Sequence, residues 1–525
     1  MKIVFLPENK TIETDGRETL LAAASKAGIA IDGNCGGAGT CGKCKVEVQS
    51  GSQQGFHLAC RLFPEGDMIV SVPQYTEFLK RKADMSAIPQ DFRVFNEFER
   101  EGKSGEAFGL SFDVGTTTVV GMLWDLATGV QIGAKAEANP QAVHGADVIS
   151  RIMFATENEA NQQTLRDEII GRLNSITEEL TGSSGISADD VLNAVVVGNT
   201  TMSHLILGEN PESLARAPFC PAFYGPVIKA ADEFGLRIRR KANVTLLPNI
   251  AGHVGSDITA GIIASDIMHK TGKYLLIDVG TNGEIVLCSD GKALACSTAA
   301  GPAFEGASIY QGMRAAAGAI EFVDIDENGV SIRVVGGETP AGICGSGIVD
   351  AVAGLLKTGL VDKTGRLLTA EKALEKGVAA ALAQRLRDGK TGREFLLAGN
   401  DGGEDVVITQ KDVREVQLAK AAIKAGIKIM LRLLELTEED IGQVYVAGAF
   451  GNHIRTVSAV AIGLIPDVGE NRISYIGNAA GTGASMALLS TDAKEDAIQS
   501  AQKVVHVELA ADPSFQDVYL AAMAF

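Results

Sequence analysis

Nowhere in the 525 residues does an uninterrupted apolar run reach the roughly eighteen residues that a membrane-spanning helix needs, so no such span is expected. The opening segment, MKIVFLPENK, lacks the basic-then-apolar pattern of a secretory leader, and cytoplasmic residence is the expectation. There are seven histidines and no His-Glu-x-x-His pair, so His253 and His453, both in Gly-rich turns, read as structural or ligand-edge residues. The Gly-x4-Gly-Lys-Ser/Thr phosphate loop is absent, which excludes a P-loop ATPase as far as motifs allow. Excess positive charge is absent too: 47 Lys and Arg face 65 Asp and Glu, a net charge of -18 that repels phosphate backbones and anionic lipid. Neither nucleic acid nor a membrane is expected as a partner.

What the chain has in excess is glycine, 60 residues, which implies many tight strand-to-loop turns where backbone amides approach a ligand. Residues 1–74 read as a small module: KIVFL, KVEVQSG and MIVSV as strands, and a helix from Glu18 to Ala27 that Gly28 ends. Residues 75–107 carry 13 charges in 33 positions and read as a linker or solvated helix. The remaining body carries most of the acidity. Thr409-x-x-Asp412 is a capping-box start for a long helix running through Leu436.

Four of the eight cysteines, Cys35, Cys41, Cys44 and Cys60, are spaced C-x5-C-x2-C-x15-C. In a reducing compartment such a cluster holds metal rather than disulfides. Structural zinc usually presents two short C-x2-4-C pairs, whereas here Cys35 and Cys60 stand alone; four thiolates suit a 2Fe-2S cluster. Gly36, Gly37 and Gly39 let the backbone wrap closely and aim amides at sulfur. The pattern resembles ferredoxins of the plant and adrenodoxin type, which implies a β-grasp fold. It departs from free ferredoxins in that the fourth cysteine comes sooner. Cys220, Cys288, Cys296 and Cys344 have no ligand spacing and read as small buried apolar residues.

The body contains a repeat. Phe112-Asp-Val-Gly-Thr-Thr-Thr returns as Ile277-Asp-Val-Gly-Thr-Asn-Gly, and each copy is followed downstream by an apolar strand ending in glycine, VVVGNT and VYVAGAFGN. Two strand ends of this form put carboxylates and amide-rich turns opposite each other, a place for phosphates and a metal. Gly115 and Gly280 let their N–H groups face phosphate oxygens, and the Thr116 and Thr281 hydroxyls add donors. Asp113 and Asp278 can hold magnesium through water or orient an attacking water. Thr117 and Asn282 complete the turns, and Gly448 and Gly451 would let the chain pass close to base and ribose. Gly477-Asn-Ala-Ala-Gly481-Thr-Gly483 reads either as a further nucleotide contact or as helix packing by small residues.

These motifs resemble those of the superfamily of acetate and sugar kinases, heat-shock chaperones and actin, over residues 108–525. The resemblance implies an α/β ATPase body of two ribonuclease-H-like halves, 108–270 and 271–525, the second carrying an insertion near 320–408. Joined to the ferredoxin-type module, and with CGSGIVD and STAAGPAFEGA in it, the chain resembles the reductive activators of corrinoid proteins. In that family ATP and magnesium drive one electron from the 2Fe-2S cluster, itself supplied by a low-potential donor, to a cobalamin on a separate corrinoid protein, returning Co(II) to Co(I). A plant-type cluster sits at roughly -400 mV, and each ~59 mV uphill costs about 1.4 kcal/mol in a one-electron step. Only residues 75–107 separate the cluster module from the first turn, so a separate middle domain is expected to be absent, which bears on the family's homodimer contact. A small-molecule kinase and an ATP-liganded electron-transfer or sensor module are the alternatives; neither needs both cluster and hydrolysis.

Overall fold

The computed structural model describes residues 1–6, 9–27, 29, 31, 37, 39, 43–72, 88–96, 107–400, 404–448 and 454–525. They form two compact units: Met1–Ala264 with Ala479–Gln502, and Ser265–Asn478 with Lys503–Phe525. No helix among the described residues is long and apolar enough to cross a membrane.

The first unit begins with a five-stranded mixed sheet in the order β2-β1-β5-β3-β4. Its strands are β1 (Lys2–Leu6), β2 (Lys10–Glu13), β3 (Lys45–Ser50), β4 (Gly55–Leu58) and β5 (Met68–Ser71). Helix Leu20–Lys26, capped by the Thr19 hydroxyl, buries Leu20, Ala23 and Ala24 against Ile3, Phe5, Val46 and Val70. This is the β-grasp module. The helix is shorter than the expected 18–27, and the edge strands β2 and β4 escape the sequence reading because each is only four residues long, too short for a period to stand out, and buries none of them fully.

Next comes a six-stranded sheet built from β6 (Phe108–Val114), β7 (Thr118–Asp125), β8 (Gln131–Ala138), β9 (Val191–Gly198), β10 (Val227–Ala230) and β11 (Asn243–Leu246), in the order β10-β11-β9-β6-β7-β8. β6 is buried along its whole length, and its side chains alternate between two cores. Leu110, Phe112 and Val114 pack against Leu165, Ile169 and Leu173 of helix Glu159–Ser184. On the other face Ser111 shares a 2.8 Å hydrogen bond with Ser485 of helix Ala479–Leu489. Segment 479–502 therefore belongs to the first unit, although the sequence reading assigned all of 271–525 to the second half. Gly483 explains the close fit, since a Cβ there would stand 2.0 Å from the Ala260 carbonyl oxygen.

The second unit repeats the plan with β12 (Lys273–Val279), β13 (Gly283–Ser289), β14 (Lys292–Thr298), β21 (Gln443–Ala447), β22 (Ile473–Tyr475) and β23 (Val504–His506), in the order β22-β21-β12-β13-β14-β23. In both sheets an antiparallel meander, β6-β7-β8 or β12-β13-β14, meets parallel strands on the side of its first member, β9 then β11 or β21 then β22. The sequence repeat is thus a structural repeat. The intervening chain forms two three-stranded sheets: β15 (Ala319–Asp326), β16 (Gly329–Val334) and β17 (Gly342–Ile343), then β18 (Leu386–Gly389), β19 (Gly392–Ala398) and β20 (Val406–Thr409). The capping box at Thr409 and Asp412 is present, and its helix, Gln410–Leu433, stops short of the expected Leu436, where Glu435 takes a φ of +56°.

The described part of the charged stretch, 88–96, is exposed or half-buried along most of its length but anchored at its end, where the buried Asn96 amide donates to Leu126 O at 2.8 Å and Leu489 O at 3.0 Å. One further expectation is corrected. Of the four scattered cysteines, Cys288, Cys296 and Cys344 are buried, but Cys220 is exposed, in the loop that follows 3-10 helix Glu212–Ala215.

Candidate functional site

Cys44 leads into β3 and Cys60 follows β4, so the hairpin that pairs Lys45 with Leu58 brings both to one place. Both thiols are buried, with sulfurs 3.2 Å apart and no disulfide between them. Burial, together with the neighbouring Cys60, pushes the Cys44 thiol up to about 11. Such a thiol keeps its proton in the absence of a cation and gives it up on binding a metal ion. Gly37 and Gly39 hold left-handed φ values of +85° and +74°, which glycine adopts without strain. Cys35, Cys41 and Gly36 lie outside the described residues. The donor set fits a cluster held by thiolates.

The first Asp-x-Gly-Thr turn joins β6 to β7. Asp113 is buried, pairs across the strands with Val120 and Val197, and lies one residue from the strand end. The Gly115 amide closes the turn by donating to Thr118 O at 2.9 Å, so it does not face a ligand as expected. The same correction applies to Gly280, whose amide donates to Asn282 O at 3.0 Å. Closing the turn uses the Gly115 amide, so the backbone donors that a ligand could meet there would be those of the tip residues, Thr116 and Thr117. Three side chains brace that tip. Asn139, at the end of β8, donates to Gly115 O at 2.9 Å. Asn199, the cap of helix Thr200–Leu207, donates to the Thr116 hydroxyl at 2.9 Å. Arg151, on helix Val148–Glu157, donates to Thr116 O at 2.5 Å, Gly145 O at 2.9 Å and Gln141 Oε1 at 3.2 Å.

The second turn, between β12 and β13, is one residue tighter: Val279 pairs with Gly283, whereas Val114 pairs with Val119. Its surroundings are acidic. Asp278 pairs directly with Glu284, which places both carboxylates on one face of the hairpin. The Ser297 hydroxyl donates to Glu284 at 3.2 Å, and the Thr281 hydroxyl donates to Glu305 at 2.5 Å. Among the described residues no three or more His, Cys, Asp or Glu converge as a ready metal site, so a divalent ion would rely on other ligands such as phosphate oxygens. Gly448, at the end of β21, has φ +95°, and a Cβ there would meet Val279 O at 2.5 Å and Asp278 Oδ1 at 2.8 Å. Only glycine allows this strand end to press against the Asp278 carboxylate. The Gly448 amide donates to Gly477 O at 3.0 Å, so the 477–483 motif divides: Gly477 supports Gly448, while Gly483 packs helices. Gly451 and His453 lie outside the described residues, and His253 tilts against Phe219 at 5.0 Å.

Sequence reasoning missed the braces. Glu305 sits inside STAAGPAFEGA and Asp350 inside CGSGIVD, segments whose unusual composition was a usable signal. Asp350, 2% exposed, accepts from Arg455 at 2.8 Å and Ser458 at 2.6 Å, tying down the chain that leaves the Gly448 motif. Arg151 carries no local signal, being one arginine in an amphipathic helix.

A thiolate-rich β-grasp module ahead of a duplicated sheet with a nucleotide-type turn in each copy defines an iron–sulfur protein of the actin-like ATPase class. Residues 4–65 match the 2Fe-2S iron-sulfur cluster binding domain, 108–271 the RACo middle region, and 272–525 the C-terminal domain of RACo, the ASKHA domain. The corrinoid activation enzyme RamQ of Eubacterium limosum is 36% identical over 447 residues, covering 84% of this chain and 74% of that protein. The [Co(II) methylated amine-specific corrinoid protein] reductase of Methanosarcina barkeri is 25% identical over 325 residues, 57% of this chain and 54% of that protein. The solved structure of a reductive activator for corrinoid, iron-sulfur protein superposes with a TM-score of 0.72 at 33% identity, over 100% of this chain and 98% of that one. The chain belongs to this family of reductive activators of corrinoid proteins. One expectation is corrected by the match: the family's middle region is present, as the sheet of 108–271 that carries the first turn, and is not missing between cluster module and body.

Proposed function

We propose that this protein uses ATP to reactivate a corrinoid protein, passing one electron to its Co(II) cobalamin to give Co(I). When bound at Cys35, Cys41, Cys44 and Cys60, the 2Fe-2S cluster supplies the single electron, and a low-potential donor in the cytoplasm replaces it. The chain's own residues supply the rest. The braced tip of the first turn, Thr116 and Thr117, donates to nucleotide phosphate, and Asp113 behind it supports the magnesium that arrives with the nucleotide. Asp278, with Thr281 and Asn282 at the second turn, orients the attacking water or the metal, and Gly448 and Gly451 border the adenosine. The contrast in charge supports this division: a turn backed by an arginine suits phosphate oxygens, and a turn ringed by carboxylates suits a cation or a water that must lose a proton.

The observation that carries the reading is the pairing, in one chain, of a buried convergent thiol pair with two such turns, alongside the likeness to corrinoid activators. The test is anaerobic reduction of a Co(II) corrinoid protein by the full chain and by the Cys44→Ser and Asp278→Asn variants. Each variant should keep the other's partial property, ATP binding in the first and the iron–sulfur absorbance in the second, and neither should produce Co(I). Phosphorylation of a small hydroxyl or carboxylate substrate by the Cys44→Ser variant at the wild-type rate would support a kinase instead.

A further inference from the structure

Arg151 is fully buried, and among the described residues its guanidinium has no ion-pair partner: it donates to the Gly145 and Thr116 carbonyls, the Gln141 side-chain oxygen and the Met202 sulfur, all neutral. Asp147 and Glu168 act on it only from beyond ion-pair distance. Burial lowers its pKa to about 10, which still leaves it charged at neutral pH. A buried cation held by neutral groups carries a desolvation cost that a nearby anion would offset. The anion's place follows from the peptide geometry of the turn.

The peptide bonds flanking Thr116 are trans, so each carbonyl and the following N–H point in opposite directions. Asn139 holds the Gly115 carbonyl, which turns the Thr116 N–H away from Asn139. Arg151 holds the Thr116 carbonyl, which turns the Thr117 N–H away from Arg151. A charged donor on the carbonyl also polarises the peptide and strengthens that N–H as a donor. Asn199 donates to the Thr116 oxygen and leaves its hydroxyl hydrogen to be given elsewhere. The two amides are thus each turned away from the buried side chain that holds the preceding carbonyl, and the Thr116 hydroxyl keeps its hydrogen to donate.

We propose that Arg151 is the positioning residue of the first phosphate turn: it fixes and polarises the Thr116–Thr117 peptide so that its N–H faces a nucleotide phosphate, whose negative charge in turn balances the buried guanidinium. This rests on the reading of the turn as a phosphate site. An arginine serving only to fill the core would affect every ligand alike, or none. A positioning charge acts in proportion to the phosphates.

The test measures binding of adenosine, ADP and ATP, with magnesium, by calorimetry to the full chain with its cluster loaded, in wild type, Arg151→Met and Arg151→Lys. ATP affinity should fall about 10- to 100-fold in Arg151→Met, the span of a hydrogen bond to a charged group. ADP should fall less and adenosine not at all, and Arg151→Lys should recover part of the loss. Equal losses for adenosine and ATP, or no loss for ATP, would overturn the proposal. Should Arg151→Met fail to fold, hydrogen exchange of the wild type decides: amides in 115–118 should be slowed by ATP and not by adenosine, and an unchanged segment would overturn it. A wild-type chain that binds no nucleotide would instead overturn the ATPase reading itself.

Discussion

The turns after β6 and β12 share Asp-Val-Gly-Thr and the same place in their two sheets, yet the side chains around them differ in charge. The first is backed by the buried Arg151 and the Asn139 and Asn199 amides; the second is faced by Asp278, Glu284 and Glu305. A shared motif therefore fixes a backbone path, while residues far away in sequence decide what charge that path will receive. On the proposed reading the two copies divide the work, the first turn holding the phosphates with their magnesium and the second acting on the attacking water.

The largest expected effect breaks the symmetry directly. Asp278→Asn should lower ATP hydrolysis by about 10²-fold or more with little change in ATP affinity, as for loss of a group acting on the reacting water. Asp113→Asn should do the reverse, weakening the magnesium–nucleotide complex more than turnover at saturation. Steady-state phosphate release with calorimetry separates the two, and identical profiles for both variants would erase the distinction between the turns.

A second, smaller effect concerns the support under the Gly448 motif. Asp350→Ala removes a nearly buried carboxylate that Arg455, Ser458 and the Val323 amide all donate to, and should cost about 1–3 kcal/mol of stability. Because Arg455 is partly exposed, its charge can rehydrate, which keeps the loss at that level. Thermal unfolding followed by circular dichroism would read it, and the cluster absorbance should not change. An unaltered midpoint would mean the ion pair is dispensable.

The smallest effect sharpens the comparison at one hydroxyl. Glu305→Gln keeps an acceptor for Thr281 but removes one negative charge from the second turn. Turnover should change by no more than about fivefold, the worth of roughly 1 kcal/mol, and stability should hold. A loss as large as that of Asp278→Asn would move Glu305 into direct contact with the reacting groups.

How much of this was legible in the sequence depends on chain distance. The cysteine spacing, the two Asp-Val-Gly-Thr turns, the β12–β13 hairpin and the Thr409–Asp412 capping box are made by residues close in sequence, and each could be read there. The braces are not. Arg151 lies 35 residues from Thr116, and Asn199 lies 83 residues from it. Asn96 reaches Leu489 across 393 residues, and Ala479–Leu489 leaves the second unit to cover β6. Such contacts depend on tertiary packing, which hydrophobic periodicity does not encode. The glycine amides differ from the sequence expectation for a related reason: a Gly two residues after Asp marks a tight turn, but the direction of its N–H is set by how the turn closes, and in loops of four and of three residues alike the amide closes the turn.

The most direct measurement of the central claim is the absorbance of a Co(II) corrinoid protein mixed anaerobically with the full chain, magnesium and a reductant too weak to reduce it alone. Co(I) should accumulate when ATP is added and not with adenosine. Equal Co(I) formation without nucleotide would contradict the coupling of the two Asp-Val-Gly-Thr turns to the electron step.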